Sequence, residues 1–190
     1  AIDFGTTNSY YTKCPRDQIS PVGIDFGTGK DGLATAVLYR GQKEPLVGDA
    51  ALEEFGELGG RVPGNWRFRA QFKPDIVADS ESAKNAEDFL RLVLLQSERR
   101  HIVMEPKRRE VIFGVPSEMS ADYSERLAEI AANAGYGKIR VIDEPKGAIL
   151  YHLWHQDFSP RQARKGILVI DFGGGTCHFA YLSRLNVRAP

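Results

Sequence analysis

The tetrapeptide Ile-Asp-Phe-Gly occurs three times in this chain, ending at Gly5, Gly27 and Gly173, and each copy runs into a threonine-bearing turn. The third copy is the fullest: an apolar run from Ile167 to Ile170, then Asp171, Phe172, Gly173, Gly174, Gly175 and Thr176. Consecutive glycines adopt backbone angles that other residues avoid and let the main chain approach a ligand closely. Successive amide groups in such a turn form a concave nest that suits phosphate oxygens. A dinucleotide fingerprint would open into a helix. Here Cys177 to Leu182 alternates like a strand, so the motif is a strand–turn–strand hairpin. Residues 1–4, the turn Gly5–Asn8 and the β-prone stretch 9–14 repeat that arrangement at the other end of the chain. Two such hairpins, each with an aspartate closing its first strand, suit ATP with Mg²⁺ gripped between two lobes. Mg²⁺ gives up its waters reluctantly and is often held through them by carboxylates. The middle copy, Asp25 to Gly29, follows the first too closely to open a second lobe and reads as a loop without a phosphate role.

The intervening chain predicts an α/β fold with a partly parallel sheet. Pro15–Gly32 reads as loop, 34–40 as a strand, Gly41–Pro45 as a turn, and Asp49 as the cap of a short helix reaching Phe55, before an irregular glycine-rich stretch to Gly64. Apolar residues at helical spacing predict helices over Ser80–Arg100, from Ser120 to a glycine stop at Gly135, and after Pro145, the last burying Ile149, Leu150, Leu153 and Trp154. Strands fall at 110–115, 139–143 and 166–171. A hydrophobic content of 42% in 190 residues supports a packed core. Lys plus Arg equals Asp plus Glu at 25 each, which argues against a bulk nucleic-acid binder, and no apolar run approaches a membrane span. Two widely separated cysteines, Cys14 and Cys177, fit a reducing cytoplasm. Ala1 opens as though a strand were already under way, so earlier residues are expected to precede it.

Three segments, in order, resemble the nucleotide-binding domain of the DnaK-type, seventy-kilodalton heat-shock chaperones. Residues 2–9 (IDFGTTNS) resemble the first phosphate motif, Val169 to Thr176 (VIDFGGGT) the second, and Val141 to Leu150 (VIDEPKGAIL) the connecting helix with its Glu-Pro pair. Leu46 to Ala51 (LVGDAA) and Val111 to Gly135 agree in pattern. The resemblance implies an actin-like ATPase fold with ribonuclease-H-like sheets. Residues 1–165 would form lobe one, with an inserted subdomain at about 41–110, and residues 166–190 would open lobe two. Gly5, Thr6, Thr7, Asn8, Gly173, Gly174, Gly175 and Thr176 would hold the phosphates of ATP or ADP. Asp3 and Asp171 would serve Mg²⁺ through water, and Glu144 would orient the attacking water. The family lysine that approaches the terminal phosphate maps to Lys73, whose alternative is a solvated surface lysine. Pro145 would be a hinge. The implied partners of the full-length protein are peptide clients, a J-domain co-chaperone and a nucleotide-exchange factor.

One position departs from the family pattern: His178 stands where the family has an aspartate beside the second turn, which weakens the case for Mg²⁺-dependent hydrolysis. As a metal ligand His178 has no His or Cys spaced to help it. The chain stops at Pro190, before the family's adenosine-binding segment, so the fragment alone is expected to bind ATP weakly and turn over little. An actin-like polymerising ATPase, or a nucleotide-binding regulator without hydrolysis, are the alternatives. Arg61, Arg67, Arg69 and Lys73 interleave with Trp66, Phe68 and Phe72; zero net charge favours a subdomain edge near the cleft over single-stranded nucleic acid.

Overall fold

A computed structural model describes residues 1–14, 20–102, 104, 105, 107–117 and 119–183. The chain opens with β1 (Ile2–Phe4), turns at Gly5, and returns antiparallel as β2 (Asn8–Lys13), with Phe4 opposite Ser9. A methyl on Gly5 would overlap the carbonyl of Asn8, so this turn closes only around glycine. The expected loop carries a two-residue strand, β3 (Val22–Gly23), paired with Thr12 and Lys13; Pro15–Ile19 of that loop lie outside the described residues.

The strand predicted at 34–40 divides at Thr35. β4 (Gly32–Ala34) pairs with β2, and β5 (Ala36–Arg40) leaves for a second sheet. Thr35 is held at the division: its amide donates to Thr7 O (2.8 Å), and its hydroxyl bonds the Ser9 hydroxyl, also at 2.8 Å and buried. The turn predicted at Gly41–Pro45 is shorter than expected. Arg40 pairs with Lys43, so Gly41 and Gln42 alone make the bend, and β6 (Lys43–Val47) comes next. Pro45 is tolerated because β6 is an edge strand.

Gly48, not Asp49, caps α1 (Asp49–Glu57). Its φ of 73° and its passage against the Leu33 side chain select glycine there. Asp49 instead places its charge in the first turn, at the positive end of the helix dipole. β7 (Trp66–Ala70), which sequence reasoning did not assign, completes the three-stranded sheet in the order β6-β5-β7. Phe68 stacks on Phe55 with ring centroids 3.9 Å apart, Arg67 lies over the Tyr39 ring and Arg69 pairs with Glu81. The basic–aromatic interleaving is therefore the alternation of a strand with two different faces.

After a single 3₁₀ turn (Lys73–Asp75), Asp79 caps α2 (Ser80–Arg99) by accepting the amides of Glu81 and Ser82. β8 (Val111–Val115), α3 (Ala121–Asn133, capped by Ser120) and β9 (Ile139–Asp143) come after it. β1, β8 and β9 run parallel, and the main sheet has the order β3-β2-β1-β8-β9 with β4 attached to β2. Parallel neighbours need crossovers, which α2 and α3 supply. Phe4, Phe72 and Phe89 meet at centroid separations of 5.8–6.3 Å. Leu90, Val93, Phe113, Leu127 and Ile130 complete that core.

α4 (Glu144–Trp154) and the short α5 (Pro160–Ala163) lead to the hairpin β10 (Ile167–Phe172) and β11 (Cys177–Leu182). α4 does not bury the apolar set expected of it. Ile149 is buried and Leu153 half-buried, whereas Leu150 and Trp154 are 63% and 64% exposed. α4 packs on β8, β9 and β10 through one side, and residues 150 and 154 share the other. Neither Cys14 nor Cys177 is in a disulfide, and among the described residues no helix is long and apolar enough to cross a membrane.

This packing predicts a contrast. Phe89→Ala should lower the unfolding free energy by about 3–5 kcal/mol. Trp154→Ser should change it by less than about 0.5 kcal/mol. Chemical denaturation of the two variants measures both.

Candidate functional site

The two glycine turns, although at opposite ends of the chain, line one cleft of about 270 Å³. β1 and its turn supply Asp3, Gly5, Thr6, Thr7 and Asn8; β10, β11 and their turn supply Asp171, Gly173, Gly174, Gly175, Thr176 and His178. The turns interlock. A methyl on Gly174 would overlap Thr7 Oγ1, and one on Gly175 would stand 3.0 Å from Thr6 Cγ2. Within the second turn the Gly173 amide donates to Thr176 O at 2.9 Å. Every site residue expected from the sequence lies on this cleft, Lys73 and Glu144 included.

Lys73 is not a solvated surface lysine: it is only 6% exposed. Lys73 starts the 3₁₀ turn with Pro74 second in it, and the Tyr123 hydroxyl donates to Lys73 O (3.2 Å), which fixes the turn. The Lys73 ammonium meets Glu144 Oε1 at 3.5 Å. Glu144 succeeds β9 at the first position of α4, ahead of Pro145. Loss of water from the Glu144 carboxyl raises its pKa; Lys73 draws it down, and the charges of Asp3 and Asp171 push it up again. Asp3 is raised in the same way, first by desolvation and also by Asp171, against the pull of Lys73. Three carboxylates thus crowd one cleft beside one ammonium, an arrangement that a divalent cation and its waters would relieve. The residues present fit such an ion.

The middle copy of the tetrapeptide lies elsewhere and differs in one respect. Asp25 Oδ1 accepts the amides of Gly27 (2.7 Å), Thr28 (2.9 Å) and Gly29 (3.1 Å). These bonds lower its pKa, and the carboxylate fills the amide nest that a phosphate would need. Sequence reasoning missed Tyr10, Pro116 and Phe172 as cleft walls and the Tyr123 hydroxyl as a support. Tyr123 carried a signal only as an apolar position of α3.

No protein-family model matches the chain. Over 91 residues, 47% of this chain, it is 34% identical to Heat shock 70 kDa protein 14 of Macaca fascicularis, and the human and Pongo abelii proteins match to the same extent. The match spans 18% of the length of those relatives. Among solved structures, MreB5 of Spiroplasma citri, determined bound to ADP, superposes with a TM-score of 0.62 at 21% identity, covering 95% of this chain and 46% of that one. The fold is that of the actin-like ATPases.

The geometry generates two expected outcomes. Gly174→Ala should cost about 1–3 kcal/mol of stability, since the short Thr7 side chain has little room to withdraw; adding Thr7→Ala should restore most of it in a double-mutant cycle. Asp3→Asn should raise the thermal midpoint at pH 7.5. A carboxyl whose folded pKa is raised opposes folding above that pKa, and the effect fades as pH falls to its ordinary value of 3.8. Thermal melts across pH should therefore show the gap between Asp3→Asn and wild type closing near pH 4, approximately the ordinary aspartate pKa.

Proposed function

We propose that this chain binds the phosphates of ATP or ADP, with Mg²⁺, between its two glycine turns, as the nucleotide-binding part of a DnaK-like chaperone. One observation carries the reading: two phosphate-type turns far apart in sequence share a cleft with three carboxylates and a nearly buried lysine. The 34% identity over 91 residues to a seventy-kilodalton heat-shock protein supports the chaperone assignment. The 21% identity to MreB5 speaks to the fold alone.

In this reading the amides of Gly5, Gly174 and Gly175, with the Thr6, Thr7 and Thr176 hydroxyls and Asn8, donate to phosphate oxygens, while the Gly173 amide closes the second turn on Thr176 O. Lys73 neutralises charge at the terminal phosphate. Asp3 and Asp171 would hold a hydrated Mg²⁺, which when bound would screen the phosphate charge. Glu144, fixed by Lys73 at the head of α4, orients the water that attacks. Phosphoryl transfer asks mainly for positioning and charge neutralisation, and these residues supply both. Residues 1–165 then act as lobe one and 166–190 as the opening of lobe two. In the whole protein, cytoplasmic on this reading, α4 with Pro145 at its start relays nucleotide state toward peptide clients, a J-domain co-chaperone and a nucleotide-exchange factor.

Among the described residues the cleft walls are hydroxyl, amide and carboxylate groups with the Lys73 ammonium and the His178 imidazole, and Tyr10, Pro116 and Phe172 bring the ring and apolar surface. Contacts are thus available to the polyphosphate more than to a base. Calorimetric titration of the chain should show weak ATP and ADP binding and an ATPase assay no appreciable turnover. Gly175→Val, which fills the second turn, should weaken binding by about tenfold or more, the loss expected of a charge-assisted hydrogen bond. Unchanged affinity in Gly175→Val, or no nucleotide binding by the wild-type chain, overturns the assignment.

A further inference from the structure

We propose that Tyr123, which does not line the cleft itself, is the positioning residue that gives the cleft a preference for ATP over ADP. Its hydroxyl fixes the stretch of backbone from which Lys73 reaches the terminal phosphate. The inference rests on the nucleotide-binding reading above and deepens it.

The turn that carries Lys73 is anchored from two sides. Phe72, just before it, is buried between Phe4 and Phe89. From α3, the Tyr123 hydroxyl donates to Lys73 O at 3.2 Å and Arg126 Nε donates to Ile76 O at 3.5 Å. These two donors are three residues apart and so share one face of the helix. Tyr123 is itself held: its ring is buried, and its amide donates to the Ser120 hydroxyl that caps α3. The cap of one helix thus reaches the cleft through a single phenol.

A phenol has one proton, and here the Lys73 carbonyl takes it. Glu144 is near enough that its charge, after burial, raises the pKa of Tyr123, yet that proton is already committed. Glu144 takes its hydrogen bond from the Lys73 ammonium instead, at 3.5 Å. An ammonium carries three donors, so Lys73 can meet a phosphate from the same backbone position. Loss of the Tyr123 hydroxyl leaves the Lys73 carbonyl without this partner, and the turn and the ammonium it carries are free to shift. The glycine and threonine donors run along the polyphosphate and serve ADP and ATP alike. Lys73 and Glu144 belong to neither glycine turn, and in this reading they face the third phosphate, which ADP lacks. A change that acts through Lys73 alone therefore shows with ATP and not with ADP.

The experiment is calorimetric titration with ATP and with ADP, in excess Mg²⁺, of wild type, Tyr123→Phe, Lys73→Met, the double variant and Tyr136→Phe. Thermal melts fix the folded fraction of each. Wild type should prefer ATP by about tenfold or more, the effect of one charge-assisted hydrogen bond. Tyr123→Phe keeps the ring and loses one ordinary hydrogen bond, so ATP binding should weaken about three- to tenfold while ADP binding changes by less than about twofold. In the Lys73→Met background Tyr123→Phe should cost nothing further, because a residue that acts through Lys73 has no effect without it. Tyr136→Phe is the control for lost stability. It too removes a buried hydroxyl from a backbone carbonyl, Leu90 O at 3.3 Å, and should leave both affinities unchanged. Equal wild-type affinity for ATP and ADP, equal weakening of both by Tyr123→Phe, or an effect that adds to that of Lys73→Met overturns the inference. So does an ATP loss in Tyr136→Phe as large as in Tyr123→Phe. If Lys73→Met does not fold, the ratio of ATP to ADP affinity in Tyr123→Phe decides alone. Absence of ATP and ADP binding by wild type defeats the nucleotide-binding reading instead.

Discussion

The Lys73–Glu144 ion pair is the contact on which the cleft depends, because it joins parts of the chain that share no hydrogen-bonded sheet. Lys73 lies on a 3₁₀ turn between the small sheet and α2, and Glu144 heads α4 after the main sheet has ended. Lys73 is 6% exposed, so its ammonium has given up most of its water and needs a carboxylate close by. Such a pair contributes little net stability, since desolvation offsets attraction, but removing one partner leaves an uncompensated buried charge at about 3–5 kcal/mol. Its effect is on geometry. The Tyr123 hydroxyl pins the Lys73 carbonyl, Lys73 pins Glu144, and Glu144 lies against Gly114 of β8, where a methyl would come within 3.0 Å of its Cγ. A glycine in the middle of a parallel strand is thereby accounted for: it leaves room for the carboxylate.

That same network bears on how three copies of one tetrapeptide reach different ends. In the first and third copies the strand before the turn and the strand after it pair with each other, so the turn is held open by a ladder on both sides. Asp3 and Asp171, at the ends of those ladders, are left facing the cleft. Among the described residues, no strand after the middle copy pairs with residues 24–26. Without a ladder, the amides of Gly27, Thr28 and Gly29 would lack partners, and the Asp25 carboxylate folds back to satisfy them. An identical local sequence becomes a ligand site or a self-sealed loop according to whether a return strand pairs with it.

Much of this was legible in the residues. The glycine turns, the helices at 80–99 and 121–133, the latter starting from Ser120, and the parallel strands between them follow from turn chemistry and periodicity, whereas the Asp79 cap emerged only in the structure. The three-stranded sheet was less visible. β6 contains a proline and sits at an edge, and β7 alternates arginine with aromatic residues because its two faces meet different neighbours, signals that composition confuses with turn and basic patch. The cap of α1 falls one residue before the position that Asp49 suggests. Asp is the commoner cap, whereas the positive φ at position 48 is a backbone demand that only glycine meets without strain. Lys73 is ambiguous in the sequence because its burial comes from Tyr123 and Glu144, 50 and 71 residues away along the chain.

The apolar faces of α4 and of the β10–β11 hairpin show where local pattern and tertiary setting part. Leu150, Trp154, Ile170 and Phe179 have the spacing of core residues and are more than half exposed. A two-stranded hairpin is marginal by itself, because one ladder does not offset the entropy of ordering its strands. What seats this one is the contact of β10 with α4 and the interlock of Gly174 and Gly175 with Thr7 and Thr6. The cleft's second wall is therefore held by α4 along one strand and by its own tip. A ligand that bridged both turns would stabilise the seated hairpin over any unseated form in proportion to its occupancy, so ligand binding and ordering of this wall are one equilibrium.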